Sequence, residues 1–351
     1  MASTTQHEPI PEVAADAEAG ALERDLVVMK FGGSSVADTK KIKDVARRLV
    51  AAREAGQRVV GVLSAMGDTT DDLVRLAYEI SARPHAREFD MLVSVGERIS
   101  NALCAMAIRD LGHEAVSLTG SQAGIVTDTV HGKAKIVEVR AQRLHSELDR
   151  DRIVLVAGFQ GVSTDLEVTT LGRGGSDMTA AALAAALGAR VCEIYTDVEG
   201  VFTADPRIVP RARKLKAVTY EEMLELAASG AKVLQLRSVE FARNHDVRLH
   251  VRSTFSQAEG TWIVDEEDPV LEKAIISGVA HIGCEPLYRV REIDAAKLFA
   301  RLADANVNVD TILQVSADEI VFSAPLEDRE ACDELLRSLG VEWSMRDDLG
   351  R

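Results

Sequence analysis

Short apolar runs alternate with longer amphipathic stretches along most of the chain. Leu26–Phe31, Arg58–Leu63 and Ile153–Ala157 are apolar runs of strand length. Between the first two lies Asp38–Ala55, where apolar residues recur at the three- and four-residue spacing of a helix. Strands that alternate with helices are typical of a parallel sheet covered by helices. The pattern therefore predicts an α/β fold with a mainly parallel sheet.

The same pattern continues to about residue 264. Further predicted strands are Glu114–Leu118, Val191–Thr196 and Arg248–Val251, and further predicted helices are Glu97–Leu111, Arg140–Arg150, Asp177–Leu187, Tyr220–Ser229 and Val239–Asn244. Residues 256–272 are acidic and interrupted by Gly260 and Pro269, which favours a linker. Residues 1–25 are polar and acidic, which predicts a disordered leader.

The C-terminal part of the chain shows a different order of elements. We predict a βαββα sequence made of Ala274–Val279, Ile293–Ala305, Val309–Gln314, Glu319–Ala324 and Arg329–Leu339. That order indicates a small α+β module. The predicted domains are therefore a leader at 1–25, a large α/β domain at 26–264, and a linker with the small module at 265–351.

Composition narrows the classes of function. The formal net charge is −15, which argues against a nucleic-acid partner or a membrane surface. No apolar run reaches the roughly 18 residues that a membrane span needs. The four cysteines lie far apart without a CxxC pair, so we expect reduced thiols in a cytoplasmic enzyme, not zinc or disulfides. A local cationic pocket for an anionic substrate remains compatible with this charge.

Two polar turns directly follow the first two predicted strands. Residues 30–35 read Lys-Phe-Gly-Gly-Ser-Ser, where paired glycines would let the backbone approach a phosphate. The lysine precedes the glycines, so this is not a Walker P-loop, and alone the run favours a tight turn with a surface lysine. Residues 63–70 read Leu-Ser-Ala-Met-Gly-Asp-Thr-Thr, which a polar ligand and a simple hydroxyl turn explain equally well.

Two later turns carry more charge. Residues 169–177 read Thr-Thr-Leu-Gly-Arg-Gly-Gly-Ser-Asp, and a helix N-cap explains the Ser or the Asp but not an arginine enclosed by glycines. There the guanidinium could bind a carboxylate or phosphate with its fork of donors. Residues 195–207 contain an Asp-Pro turn that could equally contact a nucleotide. Glu97 begins a predicted helix, where a carboxylate is favourable anyway.

In this order, the segments closely resemble the aspartate kinases of the amino acid kinase family. The similar segments are Lys-Phe-Gly-Gly-Ser-Ser, Leu-Ser-Ala-Met-Gly-Asp-Thr-Thr, Gly-Glu-Arg-Ile-Ser, Thr-Leu-Gly-Arg-Gly-Gly-Ser-Asp, Tyr-Thr-Asp-Val-Glu-Gly-Val-Phe-Thr-Ala-Asp-Pro-Arg and Gly-Ala-Lys-Val-Leu, between residues 26 and 264. The resemblance implies a three-layer αβα kinase domain that uses ATP and Mg²⁺ to phosphorylate L-aspartate. It also implies that the C-terminal module is ACT-like.

The resemblance also implies roles for individual residues. Lys30 would stabilise charge on the transferred phosphoryl group, and Asp177 would organise Lys30 and the metal-bound phosphates, assisted by Ser176. Arg173 would bind the α-carboxylate of aspartate and Glu97 its ammonium group, with Ser64 and Thr70 shaping the pocket. The nucleotide-binding residues would be Lys30, Gly32, Gly33, Ser34, Thr196, Asp197, Phe202, Asp205, Arg207 and Lys232. No side chain is assigned as a direct metal ligand.

Some positions depart from the family pattern. Position 202 is Phe where the family usually has Tyr, so a stacking contact is kept and a hydroxyl is lost. Family members usually carry two ACT modules that bind lysine or threonine at their paired interface. This chain encodes what looks like one ACT module, and that module is shortened around His281–Val290. Gln314 is followed by Val315, where the family usually has Asn. We therefore expect insensitivity to lysine and threonine, and a homodimer formed through the ACT-like module.

Two other functions stay open at this point. The chain could phosphorylate a different acid, such as N-acetylglutamate, glutamate or a nonproteinogenic amino acid. Arg173 together with Glu97 favours a free amino acid, which disfavours the N-acetylated one. The chain could also be a catalytically silent ACT-type sensor of an amino acid, although Lys30, Glu97, Arg173 and Asp177 together argue against an inactive kinase.

Overall fold

A computed structural model describes residues 26–268, 278–282, 284–305, 307–316 and 318–347. The described residues form two compact units, the first extending to residue 278 without 229–231, and the second comprising 229–231 and the residues from 279 onward. The predicted leader and most of the predicted strand Ala274–Val279 lie outside the described residues. Since 269–277 also lie outside them, the predicted domain boundary near residue 265 stays a prediction.

The first unit contains twelve strands among its described residues. They are β1 (Leu26–Phe31), β2 (Arg58–Leu63), β3 (Ala115–Leu118), β4 (Ile125–Thr127), β5 (Ile136–Val139), β6 (Ile153–Ala157), β7 (Gln160–Ser163), β8 (Val168–Thr170), β9 (Val191–Thr196), β10 (Ala217–Thr219), β11 (Arg248–Ser253) and β12 (Thr261–Val264). Eight of them form one sheet in the order β10-β12-β11-β9-β1-β2-β6-β3. All neighbours in it are parallel except β11 and β12, which confirms the predicted mainly parallel sheet.

Helices cover both faces of this sheet. They are α1 (Thr39–Glu54), α2 (Thr69–Ile80), α3 (Ala86–Val93), α4 (Val95–Asp110), α5 (Gln142–Leu148), α6 (Gly175–Ala186), α7 (Tyr220–Ala228) and α8 (Leu236–Asn244). Side chains alternate across a strand, so Val27, Met29 and Phe31 of β1 pack with residues of α1 and α4. The residues between them, Val28 and Lys30, face the opposite layer, where α6 contacts β1. The result is the expected three-layer αβα arrangement.

A second sheet of the same unit was not predicted. It has the order β5-β4-β7-β8, with strands of only three or four residues. Runs this short do not establish a repeating apolar pattern, so the sequence showed only a turn-rich segment here. The sheet is nevertheless important, because the glycine and arginine turn at 171–174 follows β8 of this sheet and not a strand of the main one.

The prediction that a linker begins at residue 256 was wrong. Thr261–Val264 is a strand of the main sheet, antiparallel to β11 and parallel to β10. Gly260 does not interrupt a linker; it allows the tight approach into this strand, with a φ of +92° that few other residues adopt. The side chain of Trp262 stacks on His250 of β11, with ring centroids 3.7 Å apart.

The second unit is a four-stranded antiparallel sheet with two helices. Its elements are β13 (Leu287–Arg291), α9 (Ala295–Asp304), β14 (Ile312–Ser316), β15 (Glu319–Ser323), α10 (Arg329–Leu339) and β16 (Glu342–Arg346), with strand order β14-β15-β13-β16. Tyr288, Leu298, Phe322 and Leu336 form the centre of its core. The predicted α+β character is confirmed, and the observed order is βαββαβ. Two of its strands, β13 and β16, were not predicted; the strand predicted to open the module, Ala274–Val279, is not β13.

One helical stretch, Ala86–Asp110, is long and apolar enough to cross a membrane by length and composition, with a mean hydropathy of 1.3 in its most apolar window. Half of that window is buried within the protein. The stretch comprises α3 and α4, and its buried residues include Asp90 and Glu97. A helix pair that packs on its own sheet and buries carboxylates against it is a core element of a globular unit.

Candidate active site

The carboxyl ends of four parallel strands meet at one edge of the main sheet. Phe31 at the end of β1 is aligned with Leu63 of β2 and with Tyr195 of β9. Leu63 is in turn aligned with Ala157 of β6. In open α/β sheets, ligands bind outside the carboxyl ends of the strands, where the loops converge. The turns after β1, β2 and β9, which were selected from the sequence, therefore lie side by side.

The first two turns are packed backbone against backbone. The amide of Gly67 donates to the carbonyl of Gly33 at 3.1 Å, and the amide of Ser64 donates to Phe31 at 3.0 Å. A Cβ at Gly33 would lie 3.2 Å from the carbonyl oxygen of Ala65, so a side chain there would push the turns apart. Ser34 is exposed in the 3₁₀ turn that follows. Glycine is therefore required at position 33 because the first and second turns pack closely against each other.

Lys30 forms a buried ion pair with Asp177 at this edge. Lys30 Nζ lies 2.6 Å from Asp177 Oδ1, and both side chains are about nine-tenths buried. Asp177 is in the first turn of α6, the helix that covers this face of β1. Lys30 Nζ also lies 3.4 Å from the position that a Cβ of Gly32 would occupy, so the glycine leaves the ammonium accessible from the turn. The predicted pairing of these two residues is therefore present in the geometry.

Glu97 places a carboxylate without a full set of partners beside the second turn. The side chain is 3% exposed, and its Oε1 accepts a hydrogen bond from the amide of Ala65 at 3.3 Å. Its Oε2 has no hydrogen-bond partner among the described residues. Burial raises the pKa of Glu97 to about 7, because the charged form is poorly solvated there. A bound cation would stabilise this carboxylate.

Two more residues predicted for the substrate pocket, Ser64 and Thr70, lie in this region. Both are partly buried, Ser64 at the end of β2 and Thr70 at the start of α2. The carbonyl of Ser64 accepts from the Ser100 hydroxyl at 2.7 Å, and that hydroxyl also reaches the carbonyl of Glu97 at 3.0 Å. Ser100 therefore ties the second turn to the helix that carries Glu97.

The third turn connects the small sheet to α6. Gly172 and Gly174 both have positive φ angles, +76° and +68°, and Arg173 between them is exposed. Ser176 is buried, and its hydroxyl lies only 2.7 Å from where a Cβ of Gly158 would be. The positive φ angles, and the packing of Gly174 against Gln235, account for the glycines on both sides of Arg173. A close approach of a ligand to Arg173 stays a prediction.

The sequence analysis missed a buried carboxylate next to this turn. Asp90 of α3 is completely buried and accepts hydrogen bonds from Thr170, His131 and Gly132. Thr170 directly precedes the third turn, and a Cβ at Gly172 would lie 3.1 Å from the carbonyl of Gly132. The signal in the sequence was an aspartate between Phe89 and Met91 in a largely apolar segment.

The segment predicted to bind nucleotide is more open. Thr196 ends β9, and its hydroxyl donates to Asp197 at 3.1 Å. Arg207 makes a forked ion pair with Asp205, with Nε to Oδ1 at 3.0 Å and Nη2 to Oδ2 at 2.7 Å. Asp197 and Arg207 are exposed. Their charges are therefore accessible to an approaching ligand.

Two further predicted nucleotide contacts, Phe202 and Lys232, also belong to the first unit. Phe202 is partly buried and forms an isolated β-bridge with Lys214. Lys232 is exposed in the loop before α8. Within the described residues, no group of three histidine, cysteine or acidic side chains could hold a metal ion by itself. Magnesium, which keeps water ligands and commonly binds with substrate phosphates, would fit here only together with a nucleotide.

Comparisons with known proteins show the family of this chain. The profile of the "Amino acid kinase family" matches residues 25–253. The aspartokinase of Mycobacterium tuberculosis is 58% identical over 296 residues, which covers 82% of this chain and 70% of that protein. The aspartokinase of Corynebacterium glutamicum is 54% identical over 330 residues, which covers 90% of this chain and 78% of that protein.

A solved structure shows the same fold. Escherichia coli aspartokinase III, in a complex with aspartate and ADP, superposes with a TM-score of 0.80 at 26% sequence identity. The match covers 93% of this chain and 86% of that one. On the family profile, the identities and the shared fold, the chain belongs to the amino acid kinase family and, within it, to the aspartokinases.

Proposed function

We propose that this protein transfers the γ-phosphoryl group of ATP to the side-chain carboxylate of L-aspartate, giving 4-phospho-L-aspartate and ADP. A carboxylate oxygen forms the new P–O bond, while the bond from phosphorus to the bridging oxygen of ADP breaks. The observation that carries the proposal is the pair of buried side chains beside two adjoining turns, Lys30 of β1 for a phosphoryl group and Glu97 of α4 for an ammonium group. The similarity to aspartokinases gives the acceptor.

This reaction suits the available side chains. A carboxylate with an ordinary pKa near 3.9 is already ionised at neutral pH, so the enzyme needs no general base. The remaining tasks are to bring two anions together in line and to stabilise charge on the transferring group. A buried lysine, the amides of a glycine turn and a helix N-terminus perform those tasks.

In this proposal the acceptor is held by two charged anchors. Arg173 binds the α-carboxylate and Glu97 accepts from the ammonium group, while Ser64, Thr70 and Ser176 line the pocket. The side-chain carboxylate, which neither anchor holds, is left to attack phosphorus. Its approach is directed towards Lys30, which Asp177 keeps in place.

The nucleotide is held from the other side of the same edge. Gly33 and Ser34 donate to its phosphates, and Phe202 stacks against its base. Gly32, whose amide donates to the carbonyl of Tyr195 at 3.1 Å, lets the phosphates approach the backbone closely. The charged and hydroxyl contacts to the nucleotide come from Thr196, Asp197, Asp205, Arg207 and Lys232. The phosphates, with Asp177 beside them, would hold a magnesium ion, which would supply positive charge to offset theirs.

A hydroxamate assay tests the proposal and separates it from the two alternatives. Hydroxylamine traps acyl phosphates, so the protein with ATP, Mg²⁺ and aspartate should form aspartyl hydroxamate. Faster formation with glutamate, N-acetylglutamate or another acid would assign a different acceptor. Absence of hydroxamate with every acid, together with amino acid binding, would indicate the silent sensor.

We also propose that the second unit pairs with a second copy of this chain. Strand β14 is an edge of its four-stranded sheet, and it exposes Ile312, Leu313 and Val315 by 51–58%. Exposed apolar edges are favourable sites for pairing with another strand. Light scattering should give the mass of a dimer, and Leu313→Lys should give a monomer. A dimer that persists in this variant would contradict pairing through β14.

A cytoplasmic location is part of the same proposal. All four cysteines lie within the described residues and are free thiols, as expected for a reducing compartment. Insensitivity to lysine and threonine stays a prediction. Titration of both amino acids against the initial rate at subsaturating aspartate measures it directly, and half-inhibition below about 1 mM, near −4 kcal/mol of binding free energy, would contradict it.

A further inference from the structure

Asp90 lies outside the residues that the proposed reaction uses, yet it is the most completely partnered carboxylate near them. Its side chain is 0% exposed. Its Oδ2 accepts from His131 Nδ1 at 2.7 Å, from the amide of Gly132 at 3.1 Å and from the amide of Thr170 at 3.2 Å. Its Oδ1 accepts from the Thr170 hydroxyl at 2.6 Å. Four donors therefore converge on the two oxygens of one buried side chain.

These bonds hold the base of the turn that carries Arg173. Thr170 is the last residue of β8, three positions before Arg173, and Asp90 binds both its amide and its hydroxyl. The carbonyl of Thr170 accepts from the amide of Ala134 at 2.9 Å. Asp90 therefore joins two loops, 131–134 and 170–174, into one wall, and Gly172 packs closely against that wall at Gly132.

The same helix pair also carries Glu97. Helix α3 ends at Val93, and Glu97 lies in the first turn of α4. The junction is fixed by Gln160 of β7, whose Nε2 donates to the carbonyl of Ser94 at 2.7 Å. Glu97 itself is tied to the second turn through the amide of Ala65. One rigid segment thus contacts the Arg173 turn at one end and places Glu97 at the other.

We propose that Asp90 is a positioning residue that sets the spacing between Glu97 and Arg173, and thereby selects the length of the amino acid acceptor. The inference rests on the proposed function, in which these two residues hold the ammonium and α-carboxylate groups. With both anchors fixed, the reach of the side-chain carboxylate towards phosphorus depends on the number of methylenes. Misplacement by about 1 Å can cost about 10²-fold in rate.

The chain offers a graded set of variants. Asp90→Ala removes all four acceptor contacts. Asp90→Asn can keep them, with its carbonyl towards the three N–H donors and its amide towards the Thr170 hydroxyl, which can accept. Thr170→Val is isosteric and removes only the hydroxyl contact. Arg87→Gln is the matched control, because it breaks a partly exposed ion pair between α3 and Glu167 without touching the wall.

The readout is selectivity, which general loosening of the fold does not change. We expect Asp90→Ala to lower kcat/KM for aspartate at least about 10-fold. The inhibition constant of glutamate, measured as a competitor of aspartate, should move closer to the KM of aspartate. Thr170→Val should shift both quantities in the same direction by less. For Asp90→Asn, both quantities should stay within about threefold of the wild-type values. For Arg87→Gln, both should equal the wild-type values. ADP affinity, measured by calorimetry, should stay unchanged in all four.

The outcomes separate this inference from the proposed function. Turnover of aspartate by the wild type tests the proposed function. The role of Asp90 is tested by the ratio of kcat/KM between variant and wild type, measured with whichever acid the wild type phosphorylates. If Asp90→Ala does not fold by circular dichroism, Thr170→Val and Asp90→Asn decide. The inference would be overturned if the variants weakened the use of aspartate and the binding of glutamate by the same factor, or if ADP affinity fell in parallel. Asp90 would then have a purely structural role.

Discussion

The acceptor side and the nucleotide side of the candidate site hold their charges in opposite ways. On the acceptor side, where the acceptor would meet the transferring phosphoryl group, Lys30, Asp177 and Glu97 are buried, and each contacts a neighbouring element. Arg173, which is exposed, is the exception on this side. On the nucleotide side, Arg207 and Lys232 are exposed, and the ion pair of Arg207 is with a residue only two positions away. The first set is ordered by the fold and the second by local chain geometry.

This difference indicates how the two sides work. Buried charges are costly to desolvate, and removal of one partner of a buried ion pair destabilises a protein by roughly 3–5 kcal/mol. Such groups therefore keep one arrangement. An exposed ion pair is worth only about 0–1 kcal/mol, so a phosphate group can readily compete for its guanidinium. We therefore expect the acceptor side to determine kcat and the choice of substrate, and the nucleotide side to determine affinity for ATP.

Removal of Lys30 should have the largest effect. Lys30→Ala deletes the buried ammonium that stabilises the transferring group, so kcat should fall at least about 10²-fold, the scale for one preorganised electrostatic donor. Steady-state kinetics with Lys43→Ala, an exposed lysine of α1, provide the control. A rise in KM for ATP with kcat almost unchanged would mean that Lys30 acts only in binding the ground state.

Glu97 should show that the acceptor side sacrifices stability for function. Its pKa is raised to about 7 from a usual value near 4.5, so folding loses stability as the pH rises through that interval. Glu97→Gln keeps an acceptor for the Ala65 amide and buries no charge. The variant should be more stable than the wild type at pH 8 by up to about 3 kcal/mol, with the difference disappearing near pH 4.5.

Urea unfolding of both proteins at several pH values measures this difference. The same variant should bind aspartate weakly, because the ammonium group loses its counter-charge. A stability difference that is constant with pH would show that Glu97 does not titrate in this range.

The sequence predicted best where a strand ends in a glycine or hydroxyl turn. Strands β1, β2 and β9 have the predicted bounds, because each is an apolar run that stops abruptly at polar residues. The turns beside them followed directly. Helices α2 and α3 were not predicted, although Leu73, Ala77 and Ile80 of α2 recur at the spacing of a helix.

The parts of the site that depend on distant contacts could not be predicted. Asp90 is significant only because His131 and Thr170, 41 and 80 residues away, are brought onto it. The raised pKa of Glu97 likewise comes from burial beneath the second turn, which outweighs the lowering effect of its chain neighbour Arg98. The linker prediction at 256–272 failed because β12 is short and the acidic residues around it dominate the local pattern.

Arg173 should show an intermediate effect restricted to the acceptor. Arg173→Lys keeps the charge but loses the two-pronged geometry that fits a carboxylate. The KM for aspartate should rise about 10-fold, roughly 1.4 kcal/mol, while the KM for ATP should change little. Equal increases for both substrates would place Arg173 at the phosphates instead.

Arg207 should show the smallest effect. Arg207→Lys keeps a cation in an open region and loses only the forked contact with Asp205. We expect the KM for ATP to rise by less than about fivefold, with an unchanged KM for aspartate and an unchanged melting temperature, since exposed ion pairs contribute little to stability. A loss of kcat comparable to that of Lys30→Ala would contradict the contrast between the two sides.

The central claim, that the side-chain carboxylate of aspartate receives the phosphoryl group, can be tested on the product itself. Borohydride reduces an acyl phosphate to an alcohol, so the position of the alcohol identifies the carboxylate that was phosphorylated. After turnover with ATP, Mg²⁺ and aspartate, reduction followed by chromatography against standards and tandem mass spectrometry, which separate the two isomeric alcohols, should give 2-amino-4-hydroxybutyrate. Recovery of 3-amino-4-hydroxybutyrate would show that the α-carboxylate reacted. That result would contradict the assignment of Arg173 to the α-carboxylate and of Glu97 to the ammonium group.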